Sequence, residues 1–339
     1  PDPEQCLSPF PASTWTAGEI VLCDRGTIAR VLKCANVAAG GAGGCVLANA
    51  DGTQTDPVAD AHVIPAIHVN LADGDALRAW LATGSGHTAT ITDSVIVTDP
   101  ALGDIMAGFS SRGPNNSFDV IKPDVTNPGS SIFAAVNSGG EIPPPEYGTL
   151  SGTSMSSPHT AGAGALLASL RPDWSPLEIK SAMMMTATTA VKKENGVTDA
   201  DAWDMGAGRV DLTKAARAHL LLDETYENFL AADPATGGSP EDLNIASLKQ
   251  SQCVIQCSWT RTFSSPITLS SPEGVGVNWT VSSTSPDGVT VTADPFQVEA
   301  GQDVIVEFTA QAPGSSPGDP PVFAEVSMSP DDGSPALHM

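Results

Sequence analysis

The sequence predicts a multi-domain protein: a mixed α/β unit, then an α/β segment with a serine on the first turn of a helix, then an all-β sandwich. Three observations carry this. Strand and helix signals alternate from Trp15 to about Val97. At Leu150–Leu170 a short extended run meets a tight turn at Gly152 and then a helix of small residues. From Cys257 onward, short β-rich runs recur between turn residues. With 339 residues the chain can build two or three cores.

In the first unit, Gly18 to Cys23 reads as an apolar strand, and Thr27 to Ala39 has helical spacing at Ile28, Val31, Leu32 and Ala35. Gly43 to Ala48 and His62 to Asn70 read as strands, Leu71 to Thr83 as a helix and His87 to Val97 as a strand. In the second, Tyr147 to Ser151 enters the serine turn. The run Ala161-Gly162-Ala163-Gly164-Ala165 predicts a helix thin enough to be buried. Ser175-Pro176-Leu177-Glu178 is a capping box with proline at the first helical position, opening a helix to about Met185. A last helix is expected over Leu212 to Leu222. Polar residues, Gly and Pro mark 223–241 as a linker. Strands are then expected at Cys257–Phe263, Val275–Ser282, Gly288–Ala293, Asp303–Ala310 and Val322–Met328, which suits a sandwich.

Charge narrows the function classes. Lys and Arg number 15 against 39 Asp and Glu, a formal net charge of −24, and beyond His219 only Lys249 and Arg261 are basic. Such a surface argues against binding nucleic acid or anionic lipid, both of which need basic patches. No stretch approaches the ~18 to 20 apolar residues of a membrane span. The chain starts at Pro1 without an initiator Met or signal-peptide run, so it reads as the later part of a longer polypeptide. Its six cysteines fall into local pairs, Cys6 with Cys23, Cys34 with Cys45 and Cys253 with Cys257. An even count suggests disulfides, although spacing alone leaves connectivity open. Zinc is disfavoured, because no C-x-x-C spacing and no histidine pair accompanies them.

Ser154 is the candidate nucleophile. At a helix start, unpaired N–H groups and the positive end of the helix dipole are ready to receive an oxyanion formed by attack on a carbonyl. Gly152 allows close backbone approach and Thr153 is stiff. His159 is a poor candidate base: five residues on, it lies ~140° around the helix from Ser154. It reads better as a packed, hydrogen-bonded residue.

The string Gly152-Thr153-Ser154-Met155-Ser156-Ser157-Pro158-His159 closely resembles the nucleophile signature of subtilisin-like serine proteases, the subtilases. Phe109-Ser110-Ser111-Arg112-Gly113-Pro114 and Ile121 to Gly129 resemble the family's preceding segment. Asn127 departs from it, because the family usually has alanine there. The resemblance implies a serine endopeptidase acting on protein or peptide substrates through an acyl-enzyme on Ser154. It implies a secreted protein with no cofactor. No EF-hand-type calcium loop is present, and nothing bears on oligomeric state.

Residues 1–97 resemble a protease-associated domain, through Glu19 to Gly26, Ala38 to Asn49 and Ile64 to Val69. Residues 98–222 then correspond to the C-terminal part of a subtilisin-like catalytic domain. Residues 242–339, with Leu243-Asn244 and Ser258 to Thr262, resemble a fibronectin type III-like sandwich. The family's Asp-Thr/Ser-Gly and His-Gly-Thr-His motifs do not occur in the chain, and its oxyanion asparagine normally precedes the inserted domain. The chain by itself is therefore expected to be inactive. The competing class is a non-catalytic binding protein on a decayed core, against which the intact serine string weighs. An esterase would want Gly-x-Ser-x-Gly.

Overall fold

The computed structural model describes residues 3–52, 54, 57–93, 97–136, 147–266, 276–311 and 319–339. Among these, no helix is long and apolar enough to cross a membrane. The chain divides into two compact units. One comprises Pro1–Gly103, Ala107–Ser110 and Pro128–Met155; the other comprises Asp104–Met106, Ser111–Asn127 and Ser156–Met339.

In the first unit, strands β1 (Ile20–Asp24), β2 (Gly44–Ala48) and β3 (Ala66–Val69) run parallel in the order β1-β2-β3. Parallel neighbours need a crossover, and helix α1 (Arg30–Ala39) supplies it between β1 and β2. The central strand β2 is apolar throughout and buried at four of five positions, as a strand covered on both faces requires. Helix α2 (Leu71–Leu81) follows β3, its first turn capped by the Asn70 side chain accepting from Asp73 N at 2.8 Å. The expected strand from His87 does not form over 87–93, and 94–96 lie outside the described residues. Ile91 instead lies half-buried by the start of β2 near Gly44, without a ladder.

Disulfides join Cys6 to Cys23 and Cys34 to Cys45, and all four residues are at most 1% exposed. The second closes an 11-residue separation between α1 and β2. Replacing Cys34 and Cys45 together by serine is expected to cost ~3 kcal/mol in urea unfolding through lost loop-closure restraint. Peptide mapping without reductant should recover both links, and free thiols at Cys34 and Cys45 would contradict them.

His68 on β3 predicts an acid sensitivity. Its Nδ1 accepts from Val58 N at 2.8 Å, so the proton sits on Nε2, which donates to Asn49 Oδ1 at 2.8 Å. Burial, aided by Arg25 and Arg30, pushes its pKa from 6.5 down to about 4. Between those values the unfolded chain binds a proton that the folded chain refuses. The stability His68 contributes is complete above pH 6.5 and is lost as pH falls through about 4. The thermal midpoint of His68→Gln should therefore fall less than that of the parent over this window; equal falls would remove His68 as the cause.

The first unit also holds a hairpin, β4 (Ile132–Ala135) with β5 (Tyr147–Leu150). Helix α3 (Thr153–Leu170) begins here and continues into the second unit. The expectation that α3 is buried is corrected: only Ala163 and Leu167 are buried, while Leu166 is 64% and Leu170 57% exposed. Small side chains permit close packing but do not supply a neighbour, and among the described residues one face alone of this helix is covered.

The second unit continues with α4 (Pro176–Met185), whose capping box is fully formed. Ser175 Oγ accepts from Glu178 N at 3.1 Å and Glu178 accepts from Ser175 N at 2.7 Å. Two short helices follow, α5 (Ala202–Met205) and α6 (Leu212–Ala215). The helix expected to run to Leu222 stops at Ala215. Leu220, Leu221 and Leu222 are each at most 1% exposed, and all-round burial suits extended chain, which pairs through Leu221 with Ser264. Residues 223–241, expected as linker, include helix α7 (Tyr226–Ala231).

Among the described residues seven strands follow: β6 (Gln256–Ser264), β7 (Val277–Thr284), β8 (Thr290–Thr292), β9 (Phe296–Val298), β10 (Asp303–Gln311), β11 (Glu325–Pro330) and β12 (Leu337–His338). They form two antiparallel sheets, ordered β6-β10-β8 and β12-β11-β7-β9. Along β10, Val306, Phe308 and Ala310 are buried while Ile305 and Glu307 face outward, the period-2 alternation of a strand with one covered face. Both sheets contribute to one core, with Trp259, Phe263 and Phe308 from one and Trp279, Val298 and Met328 from the other. That core is continuous with Leu167 of α3 and the methionines of α4. The disulfide Cys253–Cys257 closes the turn into β6.

Candidate active site

The hairpin delivers the chain to the serine. In its ladder Ile132 faces Leu150 and Ala135 faces Tyr147. The rings of Phe133 and Tyr147 stack at 5.9 Å on an exposed face. Beyond β5 the chain is held at two points, Gly152 N donating to Gly129 O at 2.8 Å and Ser131 N to Ser151 Oγ at 2.7 Å. It turns there, with Met155 N donating to Gly152 O at 2.9 Å, and α3 starts at Thr153.

Ser154 is thus the second residue of α3 and exposed, in a turn whose N–H groups have no acceptor within the helix. Thr153 beside it is exposed and Met155 half-buried, and a β-carbon on Gly152 would make only ordinary contact, 3.7 Å from Ser154 N. Pro158 lies inside the helix. Lacking an N–H, it leaves the Ser154 carbonyl without its usual helical donor. The first turn of α3 is therefore short of internal bonds at both kinds of group.

No described histidine is arranged as a base for Ser154. His68 is bonded to Val58 and Asn49, His87 packs with its ring tilted against Trp80, and His62 is held below its ordinary pKa by burial, with Asp60 and Arg30 nearby. His219 pairs with Asp332 at 3.1 Å and His338 with Ala187 O at 2.9 Å. His159 is exposed on α3 itself, rotated away from Ser154. Among the described residues no group of three or more His, Cys, Asp or Glu could hold a metal ion. The six cysteines, paired as disulfides, take no part in the serine turn.

Sequence reading missed what supports the helix from the side. Asn127, the departure from the family pattern, donates from Nδ2 to Thr160 Oγ1 at 2.7 Å, and its carbonyl accepts from Ser156 Oγ at 2.9 Å. Polar residues four apart at the start of a small-residue helix are the signal that could have pointed to such a tie. The chain before Asn127 is held in turn: Thr126 N donates to Gly208 O at 2.8 Å and Val210 N to Thr126 O at 3.2 Å. Gly206, with φ 64°, passes so close that a β-carbon would lie 2.3 Å from Pro123 O. Burial works against the charge of Asp124, yet hydrogen bonds from Lys122 and Lys180 hold its carboxyl below the usual range.

A model of the Subtilase family matches residues 36–207, just over half of the chain. The chain belongs to the subtilase family. This subtilase chain is 39% identical to Subtilisin-like protease SBT1.7 of Arabidopsis thaliana over 229 residues, covering 63% of this chain and 30% of the relative. To Subtilisin-like protease SBT1.6 of the same plant it is 35% identical over 250 residues, 70% of this chain and 33% of the relative. To Minor extracellular protease Vpr of Bacillus subtilis (strain 168) it is 35% identical over 216 residues, 63% and 26%. The subtilase chain thus spans about a third or less of the length of these relatives.

Proposed function

We propose that this subtilase chain is the serine-bearing portion of a secreted serine endopeptidase that cleaves protein or peptide substrates through an acyl-enzyme on Ser154. The observation that carries the reading is an exposed serine in the first turn of a helix, delivered by a hairpin and a Gly-Thr turn, in a chain of the subtilase family. Such a position offers backbone N–H groups to the oxyanion and room for a peptide carbonyl.

The base is supplied by sequence outside these residues. The histidines of this chain are engaged away from Ser154 or rotated from it, and a serine without a base is a weak nucleophile. Residues 1–97 are read as a protease-associated domain and 242–339 as a fibronectin type III-like sandwich; the parallel three-stranded sheet and the two antiparallel sheets support these readings. The core disulfides support an oxidising, extracellular setting.

A fluorophosphonate probe applied to the longer protein should label Ser154, located by mass spectrometry of the modified peptide. Equal labelling of Ser154→Ala would end the assignment.

A further inference from the structure

The segment Ser111–Asn127 connects two parts of the second unit that lie far apart in sequence. Near its start it is gripped by residues just before β6. Lys249 Nζ donates to the carbonyl oxygens of Asn115 at 2.9 Å and Phe118 at 3.1 Å, and stands 3.5 Å from Asp119 Oδ1. Asp119 Oδ2 accepts from Ser251 N at 3.1 Å and Ser251 Oγ at 2.8 Å. The Lys249 and Asp119 side chains are each 16% exposed, so this is a largely desolvated grip rather than a loose surface pair. Lys249 is itself fixed, because the indole N–H of Trp259, buried in the sheet core, donates to its carbonyl at 3.1 Å. A second hold lies beside it, Trp203 meeting Phe323 edge-on at 5.2 Å while its carbonyl accepts from Gly113 N at 2.9 Å.

At its other end the segment reaches the serine helix, through the bonds of Asn127 to Ser156 and Thr160. These two residues sit in the first two turns of α3, and the first carries Ser154. The first N–H groups of that turn and the Ser154 carbonyl lack helical partners, so neighbours help to set its orientation. A nucleophile displaced by an ångström loses much of its effect.

We propose that Lys249 and Asn127 are positioning residues for Ser154. Lys249, from the chain entering the C-terminal sheets, fixes the strut Ser111–Asn127, and Asn127 transmits that restraint to the serine helix. The functional half of this inference rests on the reading of Ser154 as nucleophile; the mechanical half does not.

Amide hydrogen exchange on the 339-residue chain tests the mechanical half without any catalysis. Lys249→Met and Asn127→Ala are each expected to speed exchange in peptides covering 153–160 by about 10-fold, and Lys249→Arg to stay near the parent. Because the two residues act in series, the double variant should exchange there no faster than Asn127→Ala. Faster exchange over 113–119 without change over 153–160 would overturn the proposal. If Lys249→Met does not fold, Ser251→Ala, which loosens the same grip on Asp119, should move 153–160 in the same direction, and no movement counts against it.

In the longer protein, both single variants should slow fluorophosphonate labelling of Ser154 and lower kcat by about 10-fold with KM unchanged, and Lys249→Arg should recover the rate. Parental rates in both variants would overturn positioning. Absence of labelling in the parent would instead overturn the nucleophile reading, and the exchange result would still decide the coupling.

Discussion

With Ser154 as the proposed nucleophile, its replacement by alanine in the longer protein is expected to lower kcat about a million-fold while KM changes little, because members of a serine–histidine–aspartate unit act together. Loss of the hydroxyl removes covalent catalysis but leaves the helix N–H groups that bind the oxyanion, so a residue of ~10³ to 10⁴ over water should survive. Peptide hydrolysis with the parent and variant, each titrated for folded protein, measures this. The same logic governs the 339-residue chain alone, which is expected to show no turnover above background. Casein turnover by the chain that vanished on Ser154→Ala would contradict the need for an outside base and bring His159 back as a candidate.

The second large effect is on stability. Arg261 on β6 is 1% exposed and runs among main-chain carbonyls. Its Nε donates to Ile245 O at 2.9 Å and Nη2 to Ser247 O at 2.8 Å. Nη1 donates to Thr260 O at 2.9 Å, and Glu241 O accepts from both terminal nitrogens at 3.3 Å. Burial pulls its pKa down to about 10 against the opposing pull of Asp242 and Glu224, which leaves it cationic at neutral pH.

Methionine at 261 would fill the space and leave these carbonyls without donors. At ~1 to 3 kcal/mol for each group left unsatisfied, partly relieved by relaxation, the expected loss is about 3 to 5 kcal/mol in urea unfolding. Lysine keeps the charge but presents donors from a single nitrogen, and should recover less than half of the loss. A loss below about 1 kcal/mol for Arg261→Met would mean that water reaches these carbonyls.

Much of the architecture was legible because local chemistry and tertiary demand agree. Ser175 and Glu178 cap α4, and the alternation along Asp303–Ala310 sets the inward face of β10. The serine turn was legible for the same reason: Gly152, Thr153 and Ser154 form a short contiguous string whose geometry is local. Legibility failed where partners are distant. The helix expected through Leu222 gives way at Ala215, where three consecutive leucines are buried and Leu221 pairs with distant Ser264, and in place of the strand expected from His87 the side chain of Ile91 packs near Gly44. Asn244 stood out only within a family-like string; that its amide pairs with both backbone groups of Thr262, as a strand neighbour would, was not legible.

By itself the sequence determined the alternating start of the chain, the capped helix at Pro176, the longer strands of the C-terminal sheets, the acidic charge balance and the serine string, since propensity, capping and charge are properties of neighbouring residues. The tertiary structure alone decided that α3 is covered on one face, that Asn127 ties it at Ser156 and Thr160, and that Lys249 holds the segment leading there. Those contacts join residues up to 134 positions apart. No local pattern encodes them, because the energy of such a hydrogen bond depends on where the folded backbone brings its partners and on the water excluded around them.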